Sequence, residues 1–250
     1  MKTRANRERA GFARARTARM YFTEEPLAKS MADPILRARE IWKSYDGRSD
    51  VLRGVDLDVA KEEAVSVWGP NGSGKTTLLF ILGGLDSPTR GRVELAGRDI
   101  SHLKESALAK VRLRDVGFVF QTHNLIDDLT VEENIALPLR LARKPADARI
   151  HELLAAFGLE PLAQRKPRRI SVGESQRVAV ARALANGPTV ILADEPTAAL
   201  DTKGTAAVLE AFERARTSFG AALVVATHDP EVKALPATPY RLEEGALRPS

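Results

Sequence analysis

The run GPNGSGKTT at 69–77 carries the densest chemistry in the chain. It matches G-x-x-x-x-G-K-[ST], directly behind an apolar run, AVSVW (64–68), and at the head of a helix-like one, KTTLLFILGG. Gly69, Pro70 and Asn71 lead into small residues that let the amides of Gly72, Ser73, Gly74, Lys75, Thr76 and Thr77 turn inward as an anion nest. In such a loop the lysine, Lys75, reaches the β- and γ-phosphates of a nucleotide, and the Thr76 hydroxyl ligates Mg²⁺. The same chemistry demands a carboxylate at the end of a buried strand. VILADEP supplies Asp194 there, on the Mg²⁺ side, with Glu195 beside it as the candidate general base for an attacking water.

A second stretch, ISVGESQRVAVARALA (170–185), has two readings. Ser171 and Glu174 stand three apart ahead of an amphipathic run, the spacing of a capping box. The same helix N-terminus, with Gly173 inside it, equally suits a phosphate oxygen. The local sequence does not decide between them.

The elements that must position these groups alternate in type. From residue 34 onward, short strand-like runs alternate with helical ones, the pattern of an α/β domain with a largely parallel sheet. GRVELAG (91–97) and VGFVFQ (116–121) read as strands and ESALAKVRLRD between them as a short helix. Strand signals stop at about 122. TVEENIALPLRLA opens on a Thr130/Glu133 capping box, and PADARIHELLAAFG places a proline in its first turn and ends at Gly158, so a helical subdomain is expected over about 122–185. TVILADEP and AALVVATHD then resume the sheet around a helix at about 204–219.

Composition excludes several classes. The chain has 250 residues, 44% hydrophobic and 28% charged, enough for one large globular domain. With no cysteine there is neither a disulfide nor a thiolate metal site. The net charge of +5 resides in residues 1–30, which hold eight Lys/Arg against three Asp/Glu, whereas the remainder balances at 30 of each. That Arg-rich head lacks a signal-peptide core and reads as a disordered basic extension, with residues 31–250 as the folded domain and Met31 as an alternative start. The neutral body argues against a nucleic-acid partner. No apolar run approaches the ~20 residues of a membrane span, so a membrane role would use a separate chain.

Taken in order, these residues resemble the ATP-binding subunits of ABC transporters over nearly all of 34–248. Tyr45 falls where that family stacks an aromatic on adenine, Gln121 in VFQTHNL matches the Q-loop glutamine, Asp201 in TAALD the D-loop aspartate, and His228 in ATHD the switch histidine. The resemblance implies a P-loop fold with a mostly parallel sheet core, an antiparallel β subdomain and an α-helical insert. It also makes SVGES the signature, in which Ser171 and Gly173 meet the γ-phosphate of an ATP held by another subunit. Val172 departs from the family's usual first glycine. A β-branched residue there is harmless at helical φ and strained at positive φ.

LLFILGGLDSPTRG, FQTHNLIDDLTVEENIALPL and LADEPTAALD are similar to the lipoprotein-release and macrolide-export group. The resemblance implies ATP and Mg²⁺ as ligands and a head-to-tail dimer of ATPase subunits. Glu195, His228, Gln121 and Lys75 would be catalytic, with Gln121 also linking Mg²⁺ to the helical insert. It further implies an integral membrane subunit docked near 122–135 and a peripheral position on the cytoplasmic face of the membrane. The competing reading is a soluble or cell-division ATPase of the same family that moves no substrate.

Overall fold

The computed structural model describes residues 33–229, 235 and 237–250. The expected basic extension, residues 1–30, lies outside them.

Two sheets form. In the first, β1 (Leu36–Ser44) pairs antiparallel with β2 (Asp50–Val59) and with β4 (Arg90–Leu95), and β5 (Arg98–Asp99) closes the edge in the order β2-β1-β4-β5. This is the expected antiparallel subdomain. Its strands bury one face, as the alternation of Val55, Leu57 and Val59 with Asp56 and Asp58 requires.

The second sheet has six strands. β3 (Ala64–Trp68), β6 (Val116–Val119), β7 (Val190–Asp194), β8 (Ala222–Thr227) and β9 (Thr238–Glu243) run parallel, and β10 (Ala246–Pro249) pairs antiparallel with β9, in the order β10-β9-β3-β8-β7-β6. The central strands read as continuous apolar runs because both faces are covered. Successive residues of β7 feed different cores: Val190 and Leu192 pack toward the antiparallel sheet and α1 (Lys75–Leu82), Ile191 and Ala193 toward the helical side. Burying each valine, leucine or isoleucine among them contributes roughly 1.5–3 kcal/mol before entropy is counted.

Helix α2 (Glu105–Asp115) spans the expected residues. The helical subdomain holds α3 (Val131–Leu141), α4 (Asp147–Ala156), two single 3-10 turns and α5 (Val172–Leu184), and α6 (Thr202–Thr217) returns to the sheet. Thr130 and Glu133 form the expected capping box. Pro145 is a correction: α4 begins only at Asp147 with Ala146 as its N-cap, so the proline precedes the helix instead of occupying its first turn. Its fixed φ shapes the entry to the helix there.

The register aligns the strand ends. Trp68 lies opposite Thr227, Asp194 opposite Ala226, and Val119 opposite Ala193. The loops after β3, β6, β7 and β8 therefore leave from one edge, the carboxyl end where parallel sheets bind ligands.

Candidate nucleotide site at the strand ends

The loop after β3 is shaped by glycine. Gly72 and Gly74 adopt φ of +80° and +101°, a region side chains avoid. A Cβ on Gly69 would lie 2.2 Å from the Leu242 carbonyl oxygen. The Ser73 amide closes a turn onto the Pro70 carbonyl (3.2 Å), and the Leu78 amide is the first to bond back into α1, to Gly74 O (2.8 Å). The amides of Gly74, Lys75, Thr76 and Thr77 are thus the free donors of a helix N-terminus, at its positive end. Asn71 sits at the exposed tip of the turn.

Two side chains carry the loop across to β7. The Thr76 hydroxyl donates to Asp194 Oδ2 (2.8 Å), while Asp194 Oδ1 is buried and has no hydrogen-bond partner. Burial pushes the Asp194 carboxyl above its ordinary range; the Thr76 bond opposes this and the neighbouring Glu195 charge adds to it. Buried Lys75 donates through Nζ to Gly69 O (2.9 Å) and Pro70 O (3.2 Å) and lies 3.3 Å from Glu195 Oε1.

Glu195 leaves the strand at φ +44°, its amide donating to Ala226 O (2.8 Å) on β8. That turn aims its carboxylate back across the strand ends, where Oε2 accepts from the main-chain N of His228 (3.2 Å) and lies 2.9 Å from its Nδ1. Beneath this pair the Thr197 hydroxyl donates to Asp229 Oδ2 (2.8 Å), and the Asp229 amide donates to Thr227 Oγ1 (2.9 Å). These bonds tie the segments after β7 and β8 together. Sequence reasoning missed Thr197 and Asp229, although a polar residue stands directly after His228 in THD and two after Glu195 in DEPT.

The remaining predicted residues divide between this edge and a second group. The Tyr45 hydroxyl is 3.4 Å from Thr77 Oγ1, which places the ring beside the first turn of α1. Gln121 is exposed after β6, and its side chain makes no hydrogen bond to Thr76 or Asp194. Its loop is tied to α5: Gln176 Nε2 donates to Phe120 O (3.4 Å), and Arg182 donates to His123 O (2.7 Å) and Asn124 O (2.6 Å).

Ser171, Gly173, Glu174 and Asp201 form the second group. Ser171 Oγ accepts from the Glu174 amide (3.2 Å), and Glu174 Oε2 accepts from the Ser171 amide (2.7 Å), the reciprocal capping box. The bond from the Ser171 amide holds the Glu174 carboxyl below its ordinary value. Val172 is already helical and points outward, so its branched side chain carries no strain. A Cβ on Gly173 would meet only Gly204 Cα, at 3.6 Å. That contact sets the start of α5 beside the start of α6, where Asp201 caps the helix by accepting from the Gly204 amide (2.8 Å).

A phosphate loop between β3 and α1, facing a hydroxyl-bound carboxylate at the end of a neighbouring strand, defines a P-loop nucleoside triphosphatase. The ABC transporter family profile matches residues 52–198. Lipoprotein-releasing system ATP-binding protein LolD 2 of Caulobacter vibrioides is 44% identical over 223 residues, covering 87% of this chain and 98% of its own. Bacitracin export ATP-binding protein BceA of Halalkalibacterium halodurans is 41% identical, over 78% of this chain and 80% of its own. Among solved structures, the dimeric ATP-binding cassette MJ0796, in a post-hydrolysis state bound to ADP and Pi, superposes with a TM-score of 0.77. It is 37% identical over 86% of this chain and 98% of that one. The chain belongs to the ABC transporter family and is an ATP-binding and ATP-hydrolysing cassette.

Proposed function

We propose that this cassette pairs head to tail with a second ATPase subunit and drives a separate integral membrane subunit from the cytoplasmic face, handling lipoproteins, lipids, peptides or amphipathic drugs. The observation that carries the reading is the convergence of Lys75, Thr76, Asp194, Glu195 and His228 at one sheet edge, linked by Thr76–Asp194 and Lys75–Glu195–His228. The relatives' printed roles in lipoprotein release and bacitracin export support the substrate class.

Within the site, the free amides at the start of α1 and the Lys75 ammonium hold phosphate charge, and Tyr45 offers its ring to adenine. Glu195 accepts a proton from the attacking water, its carboxylate oriented by His228. Most of the rate comes from positioning and charge neutralisation. The residues fit Mg²⁺: one threonine hydroxyl and one carboxylate with a buried, unpartnered oxygen make an oxygen-only set that phosphate oxygens and water complete. When bound, Mg²⁺ would neutralise charge on the phosphates. Thr76 and Asp194 would hold it, with Gln121 reaching it from the β6 loop. In the pair, Ser171 and Gly173 present the start of α5 to the nucleotide of the opposite subunit, with Glu174 completing the cap and Asp201 at the junction. The capped helix end would then also serve as a phosphate hand.

Two features support a membrane partner. An apolar groove between α2, β6 and α3 is lined by Leu85, Phe118, Phe120, Leu137 and Leu141, and Leu141 is 64% exposed. At the N-terminal end of α3 the 126–130 loop is pinned by buried Asn134, which accepts from the Ile126 amide (2.8 Å) and donates to Thr130 O (2.9 Å). Among the described residues no helix is long and apolar enough to cross a membrane, so the spanning segments would belong to the partner.

Light scattering of purified Glu195→Gln protein, with and without Mg-ATP, tests the pairing. A monomer that becomes a dimer only with Mg-ATP is expected; a monomer that persists despite measurable ATP binding would overturn it. Recovery of an integral membrane protein with the tagged chain tests the second partner and separates transport from a cassette that moves nothing.

A further inference from the structure

Lys43, Tyr45 and Asp86 form a cluster at the end of β1 that sequence reasoning did not anticipate. Asp86, in the loop between α1 and β4, accepts from the Tyr45 hydroxyl through Oδ2 (3.0 Å) and from Lys43 Nζ through Oδ1 (2.6 Å). Lys43 also donates to Ser87 O (2.8 Å), and its ammonium lies 4.7 Å from the centre of the Tyr45 ring. The loop is stitched to the strand: the Ser44 amide donates to Thr89 Oγ1 (3.0 Å), and the Thr89 amide to Trp42 O (2.8 Å). The Tyr45 hydroxyl is therefore anchored, one ring face is covered by a cation, and the residue as a whole is still 65% exposed.

We propose that Asp86 is a positioning residue for Tyr45, holding its ring through the hydroxyl and through Lys43 so that the uncovered face is presented to the adenine of ATP. The proposal rests on the reading of Tyr45 as the adenine platform. An exposed tyrosine otherwise samples several staggered rotamers. A platform present for only a fraction of the time weakens apparent affinity by that fraction. Lys43, at 11% side-chain exposure, could not stand under the ring as an ammonium without a counter-charge. Asp86 supplies it. Burial pushes the Asp86 carboxyl up, but the bonds from Lys43, the Ser87 amide and Tyr45 outweigh this and hold it below its ordinary value, so it accepts from both side chains at once. The cation in turn attracts the electron-rich ring face and resists its rotation.

The test compares ATP with inorganic tripolyphosphate, each with Mg²⁺, by titration calorimetry on the full chain. Tripolyphosphate uses the loop but has no base to stack. Asp86→Asn and Tyr45→Phe are each expected to weaken ATP binding about 3- to 10-fold while leaving tripolyphosphate within about twofold. The double variant should be little worse than Asp86→Asn alone, because that change already removes the acceptor that the Tyr45 hydroxyl uses. Both variants are near-isosteric, and Tyr45→Phe leaves every charge in place. If they bind ATP as the parent does while Tyr45→Ala binds it more weakly, the platform reading stands and the role of Asp86 is overturned. If Tyr45→Ala also binds ATP normally, the platform reading itself fails. Equal loss of both ligands would mean a distorted phosphate loop and would likewise overturn the proposal.

Discussion

His228 addresses a single oxygen of Glu195 twice, through its main-chain N at 3.2 Å and its ring Nδ1 at 2.9 Å. A carboxylate only accepts, so the ring presents its Nδ1 proton there. The other carboxylate oxygen faces Lys75. Glu195→Gln keeps an acceptor of the same shape but removes the proposed base. Turnover is expected to fall about 10²- to 10⁴-fold with ATP binding retained, as single-turnover hydrolysis and equilibrium binding would report. Near-normal turnover would refute the assignment.

The Thr197–Asp229 bond holds the two strand ends that carry this pair. Thr197→Val deletes the donor and nothing larger. A bond worth about 1.4 kcal/mol to the reacting geometry corresponds to a fall in kcat of roughly tenfold, with KM for ATP little changed. Thr197→Ser, which restores the hydroxyl, should recover the rate. A variant that alters KM alone would place the bond outside catalysis.

Asp194 contributes a pH-dependent penalty to the stability of the nucleotide-free protein. Its carboxyl is raised in the folded state, chiefly by burial, so folding favours the protonated form. The resulting penalty is absent below the unfolded aspartate pKa of about 4 and is fully present above the folded value. Asp194→Asn should therefore melt higher than the parent at neutral pH, with the gap closing as pH falls toward 4, and should lose Mg-ATP-dependent stabilisation. Thermal melts across that range, with and without Mg-ATP, would show it. A gap that widens on acidification would contradict the assignment.

Val172 starts α5 at helical φ. Val172→Gly is thus expected to leave turnover within about twofold and to lower stability by less than about 1 kcal/mol, the intrinsic preference difference. Much faster turnover would mean that Val172 throttles the signature. Ser171→Ala removes the cap and should destabilise by about 1 kcal/mol, while also abolishing the proposed ATP-dependent dimer.

Gly69 and Gly72 separate crowding from backbone strain. A methyl group on Gly69 would drive into the Leu242 carbonyl, main chain that cannot step aside, and Gly69→Ala should destabilise by about 3 kcal/mol or more. At Gly72 nothing lies within 4 Å of the added Cβ, so Gly72→Ala should lose only the ~1–2 kcal/mol of the left-handed conformation. Urea unfolding of the two variants would rank them.

Local signals made much of this molecule legible. The apolar runs at 64–68 and 190–194, the motif glycines, and both capping boxes depend on neighbours within four residues, and each lies where its spacing places it. The entry to α4 is ambiguous in the sequence, because a proline suits both the first turn and the approach to it. The strands at 238–249 carried no signal strong enough to assign. Tyr240 and Arg241 take their place from pairing with β3, not from their own alternation.

By itself, then, the sequence determined the phosphate loop, the strand and helix inventory and the residues able to do chemistry, because periodicity and turn chemistry act over a few bonds. Only the tertiary structure decided which of them meet. Thr76 reaches Asp194 across 118 positions, Glu195 reaches the His228 amide across 33, and Tyr45 reaches Asp86 across 41. Each contact follows from the order β3-β8-β7 or from a loop laid back on β1. Sheet order and register are set by packing between distant segments, a non-local quantity that no window of sequence contains.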